Sequence, residues 1–182
     1  MDIKYHIETA WTHSIHNLLP VALLSLVAAA VSIFSLGILA PVVFAGYTHS
    51  LFQLLKFNRE PRPGDVFSQI HLFFPLLLFW VVILIITFIG FTLLIIPGII
   101  FSVIIGYIGL YIIPVMVDKQ YGLIDAIQKS ISIVTHSQKA DHFIIFIIFT
   151  ALTIAGSASF LGFLLIQPFA TLFLLSAYEH TI

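Results

Sequence analysis

Cysteine is absent from this chain. That excludes a disulfide framework, a thiol nucleophile and thiolate ligation of a metal. Charge is nearly absent as well: only 8% of the 182 residues are charged, against roughly 25% in an ordinary soluble domain. Seven basic and eight acidic residues cannot cover the solvated surface that a soluble fold of this length needs. A net charge of −1 creates no field that would steer the chain toward nucleic acid or an acidic partner. The sequence also lacks a Walker loop, a nucleophile elbow, a dinucleotide-binding glycine pattern and an HExxH-type metal spacing. The chain is therefore not read as an enzyme, and no cofactor or resident metal is expected.

Apolar residues fill the space left by charge. They make up 60% of the chain, the mean hydropathy is +1.15, and the bilayer must act as solvent for most of the polypeptide. Charged residues mark off three uncharged blocks, from Thr9 to Leu55, Val66 to Val117 and His142 to Tyr178. A membrane helix needs about 20 apolar residues, so each block is long enough for two. Each block also breaks near its middle: at Gly37 and Pro41, at Pro97–Gly98, and at Gly156, Ser157, Ser159 and Gly162. Proline removes a backbone donor and glycine relaxes the dihedral constraint, which makes these the natural turns.

The expectation is an all-α membrane protein of one integral domain, 1–182, with six transmembrane helices arranged as three tight hairpins. The predicted spans are 18–39, 41–56, 71–95, 98–117, 142–158 and 161–178. Five spans with a re-entrant segment in 142–178 are the structural rival. Seventeen residues precede the first apolar run, and Lys4 is offset by Asp2 and Glu8, so a cleaved signal peptide is not expected. All seven basic residues fall on one side of the six-span scheme. Basic residues collect in cytoplasmic loops. Both termini and the loops 57–65 and 118–141 are therefore assigned to the cytoplasm of a bacterial inner membrane.

The segment from Leu123 to His136 places Leu123, Ile124, Ile127, Ile131 and Val134 on one helical stripe, with Asp125, Gln128, Lys129 and Ser132 elsewhere. A short amphipathic helix at the membrane interface is expected there, over 123–136. Gly106, Gly109, Gly156 and Gly162 are candidate points of close helix approach.

Several of these residues form an ordered series: Leu94–Ile95–Ile96–Pro97–Gly98–Ile99–Ile100, then Pro114–Val115–Met116, Asp118–Lys119 with Gly122, and Asp125–Ala126 with Lys129–Ser130. The series resembles the YciC-type bacterial integral membrane family, to which the membrane domain fused to some glycerophosphodiester phosphodiesterases is related. The resemblance implies a six-helix inner-membrane protein and carries no catalytic residues.

Two sets of residues are candidates for function. His49 lies about two turns inside Lys56 on the second predicted span, with Gly46 and Gln53 on its side of the helix and Ser50 flanking it. Ionisable residues at such depth usually face the bundle interior or a wet cavity, although a helix–helix hydrogen bond also accounts for one. Lys56, Arg59 and Arg62 form a basic cluster suited to lipid headgroups; the same residues also serve as the topology signal, which is the reading favoured here. His13 and His16 share a helical face and could share a metal, yet polar residues gather in the few aqueous segments in any case, and a structural role is favoured. Together these features point to a small transporter, channel or lipid-handling protein. The alternative is a non-catalytic scaffold binding other membrane components. The partners expected are the lipid bilayer and either further copies of the chain or another membrane protein. Single-cysteine labelling in this cysteine-free background tests the orientation: Arg62→Cys and Lys129→Cys are expected to react from the same, cytoplasmic, face, and reaction from opposite faces would reject the six-span scheme.

Overall fold

The computed structural model describes residues 3–93, 95–136 and 139–181. Among these residues every regular element is helical. In chain order they are α1 (Ile3–His16), α2 (Leu18–Phe34), α3 (Ala40–Phe57), α4 (Phe73–Leu93), α5 (Ile95–Gly109), α6 (Ile112–Lys119), α7 (Leu123–His136), α8 (Lys139–Ser157) and α9 (Phe160–Glu179). Two 3₁₀ turns, Pro63–Phe67 and Ile70–Leu72, lie between α3 and α4. Four stretches are long and apolar enough to cross a membrane: Pro63–Thr92, Gly98–Lys119, Ala140–Ser157 and Phe160–Glu179. The pair α1 and α2, bent by 89°, makes a fifth if read as one broken span. Six predicted spans thus become four to five that qualify by length and composition.

The two shortfalls have different causes. α2 has only 17 residues, about 25 Å of helix. α3 is long enough but carries Tyr47, Thr48, His49, Ser50, Gln53 and Lys56. Protein surrounds it: α2, α4, α6, α9 and both 3₁₀ turns pack against α3, and eleven of its 18 residues are buried.

The turns fall close to the sequence breaks. Between α2 and α3, Leu36 and Gly37 take up φ values of 51° and 81°, and Pro41 enters the first turn of α3, where a missing N–H costs nothing. The break predicted at Pro97–Gly98 lies earlier in the chain. α5 already begins at Ile95, so Pro97 occupies its first turn, and Leu94 of the quoted series lies outside the described residues. Gly98 instead marks the crossing of α4 and α5, where an added Cβ would come within 3.0 Å of the Gly90 backbone. α8 and α9 cross in the same way at Gly156 and Gly162, and the Ser159 Oγ caps α9 by accepting the Gly162 N–H at 3.0 Å.

Two departures from the sequence reading matter. First, the polar lead-in is a helix. α1 packs along α9 through His6, Ala10 and Ser14, while Ile7, Trp11 and Ile15 form an exposed apolar stripe. Second, the predicted span 98–117 is broken at Leu110–Tyr111, between α5 and α6. Pro114 has no N–H to offer the Leu110 carbonyl, and the groups freed beside it are taken up by α7. The Ser130 Oγ donates to the Ile108 carbonyl at 2.5 Å and accepts the Tyr111 N–H at 3.3 Å. The fully buried residues of α7 are Ala126, Ser130, Ile133 and Val134; of the predicted stripe, Val134 is among them, and Leu123 and Ile127 pack partly buried against the core. Ile124 and Ile131 are exposed.

Ser130→Ala leaves a buried carbonyl and an N–H without partners, and is expected to cost about 1–3 kcal/mol. Ser132→Ala on the exposed face should stay within about 0.5 kcal/mol of the native chain. Denaturant unfolding in detergent micelles compares the two.

Candidate functional site: a tied polar rim and an apolar cavity

Gly46 decides where the connection between α3 and α4 sits. A Cβ at this position would come within 2.2 Å of the Val66 carbonyl oxygen, so only glycine lets the loop backbone lie against the helix. Val66 is fully buried there. Next to it, the Asp65 carboxylate accepts three hydrogen bonds: from the Ser50 Oγ at 2.8 Å, the Arg62 backbone N–H at 3.0 Å and the Arg59 Nη2 at 2.9 Å. Burial pushes the Asp65 carboxyl upward, but the bonds from Ser50, Arg62 and Arg59 outweigh it and hold the group below its ordinary value. His49 belongs to the same face. Gln53 Nε2 donates to its Nε2 at 3.2 Å, and its Nδ1 lies 3.2 Å from the Ser68 Oγ.

Asp118 ties the C-terminal ends of three helices. Lys56 of α3 donates to its Oδ1 at 3.0 Å, and its ammonium also sits 4.3 Å from the centre of the Phe52 ring. Lys119 lies 3.2 Å from Oδ2, and the Tyr178 hydroxyl of α9 donates to Oδ2 at 3.2 Å. Nearby, the Tyr111 hydroxyl pairs with His142 Nδ1 at 3.0 Å, and His6 Nδ1 pairs with the Ser176 Oγ at 2.8 Å. Two of the three cations assigned to lipid headgroups, Lys56 and Arg59, are thus engaged within the protein, while Arg62 is exposed. Burial, followed by the charge of His16, holds His13 below its ordinary range. No group of three or more His, Asp or Glu residues placed to hold a metal occurs among the described residues.

On another side of α3, a cavity of about 990 Å³ lies among α2, α3, α4, α5, Ile113 of α6, the end of α8 with the turn after it, and the start of α9. Its walls are aliphatic and aromatic, with Phe44, Phe79, Trp80, Phe160 and Phe163 prominent. Among the described residues no charged side chain lines it, and neither do His49, Gly46, Ser50 or Gln53. Tyr47, one residue from Gly46, does, and its hydroxyl reaches Ser25 at 3.2 Å. Ser32, Thr87, Ser102, Ser157, Ser159 and Gln167 supply the remaining polar lining. The structure therefore gathers the predicted site residues His49, Gly46, Ser50 and Gln53 at the docked loop, and it forms a separate, larger site from positions that read in sequence as ordinary span residues. Isolated polar residues inside apolar runs, Gln167 above all, were the available signal. No family profile, curated protein or solved structure matches this chain.

The depressed Asp65 fixes a pH dependence. A carboxylate lowered by folding contributes stability above its unfolded value, near 3.8, and loses it as pH falls through the lower folded value. Asp65→Asn should therefore be less stable than the native chain by about 1–3 kcal/mol at neutral pH. The gap should close in acid, below the ordinary carboxylate range. Thermal unfolding in detergent across pH reads it, and a gap independent of pH would refute the ionic account.

Proposed function

We propose that this chain is a lipid-handling membrane protein which holds a long-chain molecule in the cavity between the α4–α5 hairpin and α2, α3 and α9. The observation that carries this reading is the cavity's lining. At about 990 Å³ it reaches the upper end of ligand-pocket sizes, roughly 300–1,000 Å³, and its walls offer hydrocarbon contact without a single charge. An ion or a charged solute would meet no counter-charge there. Paired ionic groups are placed elsewhere, in the Asp118 and Asp65 clusters among others.

The same reading takes the chain as one domain of six spans. α2 and α3, about 25 and 27 Å long, cross with local thinning of the bilayer, and α3 does so inside the protein. The C-terminal ends of α3, α6 and α9 share Asp118, in keeping with a common, basic, cytoplasmic side for both termini in a bacterial inner membrane. The stretch that resembles the YciC-type family folds as α5, α6 and α7, with α5 forming one wall of the cavity. α4 presents most of its length outward, to lipid or to a second copy of the chain.

Filling the cavity tests the proposal. Ala29→Trp and Ile105→Trp, both in the lining, are expected to cut the lipid retained after purification by about tenfold, equivalent to ~1.4 kcal/mol. Ile144→Trp, exposed on α8 outside the cavity, should retain it. Native mass spectrometry measures the bound lipid, and equal retention in all three variants would sink the reading.

A further inference from the structure

Polar side chains on apolar helices normally turn back on their own backbone, and several here do so. The Ser25 Oγ donates to the Val21 carbonyl at 3.0 Å, Ser102 to Gly98 at 2.9 Å and Thr171 to Gln167 at 3.0 Å. Ser157 bonds the Ile154 carbonyl at 2.8 Å, and Ser159 caps α9. Three polar side chains of the cavity behave differently. Ser32 on α2, Thr87 on α4 and Gln167 on α9 all line it, and none of the three side chains makes a hydrogen bond to a described residue. Three helices each contribute one half-buried polar group, without a side-chain partner among the described residues, to one apolar space. Pure hydrocarbon would leave all three unpaired, which is costly away from water. A charged headgroup would find no opposite charge in the lining.

We infer that the cavity selects an uncharged long-chain molecule bearing carbonyl or hydroxyl oxygens, held by Gln167, Thr87 and Ser32, an assignment that rests on the lipid-handling reading. Glutamine supplies two N–H donors and a carbonyl acceptor, and each hydroxyl both donates and accepts, so the set pairs with either kind of oxygen. Phe44, Phe79, Trp80 and Phe163 supply the apolar contact along the chain. Diacylglycerols and isoprenoid quinones share this chemistry.

The chain has two tryptophans, so Trp11→Phe leaves Trp80, in the cavity wall, as the sole reporter. In phosphatidylcholine nanodiscs carrying the full chain, ubiquinone should quench Trp80 saturably. Dioleoylglycerol should relieve the quenching if the diacyl source also fits, whereas squalane, which has no oxygen, should not. Gln167→Leu combined with Thr87→Val should weaken saturable binding by about tenfold, the loss of one to two net hydrogen bonds, with the helical circular dichroism unchanged. Thr87→Val alone, on a different helix, should weaken it by a few-fold and covers the case in which the double variant fails to fold. Competition by squalane equal to that by dioleoylglycerol, or binding unaltered in both variants, would overturn the oxygen selectivity and leave the cavity reading standing. Linear, unsaturable quenching together with unchanged lipid retention in Ala29→Trp would overturn both.

Discussion

Hydrocarbon gives no hydrogen bond to Tyr47, His49, Ser50 or Gln53, yet all four lie on one eighteen-residue helix. In a bilayer such groups must be satisfied by protein, and much of the bundle follows from that requirement on α3. α2 supplies Ser25 for Tyr47, and the connection to α4 supplies Asp65 for Ser50 and Ser68 for His49. α6 supplies Asp118 for Lys56 where the helix ends. Gly46 is the condition for the second of these, since any side chain there would hold the loop off the helix. The polar face of α3 is thus the site around which its neighbours are placed.

The two ends of the bundle are built differently. At one end Asp118, Tyr178, Tyr111, His142, His6 and Ser176 connect α1, α3, α6, α8 and α9 through side-chain bonds that are buried or partly buried. Such networks rigidify when every member is paired. Toward the other end the α4–α5 hairpin packs mainly on itself and reaches the rest through α3, α7 and the turn at Ile70–Leu72. Between it and α2, α3 and α9 lies the cavity. The bonded end and the open space at the other follow from where the polar residues are, because interhelical hydrogen bonds add to van der Waals packing in holding helices together in lipid.

Much of the helical framework is legible in the sequence, because proline and glycine act locally. Gly37 turns the chain through its backbone, Pro41 and Pro97 sit in the first turn of the helix after a break, and Gly156 and Gly162 flank the α8–α9 turn from inside the two helices. The failures share another cause. α1 has no strong apolar stripe toward α9, since its buried face is His6, Ala10 and Ser14, and hydrophobic periodicity is blind to a face made of small and polar residues. α7 departs from its predicted stripe only in part: Leu123, Ile127 and Val134 do pack inward, but Ser130 is buried because it serves the break at Tyr111, and a pattern of apolar residues cannot register a side chain buried for its hydroxyl. His49 stood out as the one ionisable group at depth. Its partners Gln53 and Ser68 become visible only once the loop is seen to fold back on Gly46. The cavity is formed by residues from seven helices, none distinctive alone, and only their spacing in three dimensions makes it.

The segment from Asn58 to Leu72 opens on Asn58–Asp65, with two prolines, two arginines and a glycine, the composition of a surface connection that would accept inserted residues freely. Its docking on Gly46 reverses that rule. The hydrogen bonds of Asp65 and the burial of Val66 tie the segment to α3, so its length is part of the core's geometry, and an added residue would move Val66 off its seat. A fusion partner or epitope placed in this connection would act on the interior of the bundle. The short link at Gln120–Gly122, exposed and bonded chiefly to its own neighbours, offers the chain a freer joint. In this protein the most hydrophilic stretch is the one least open to growth.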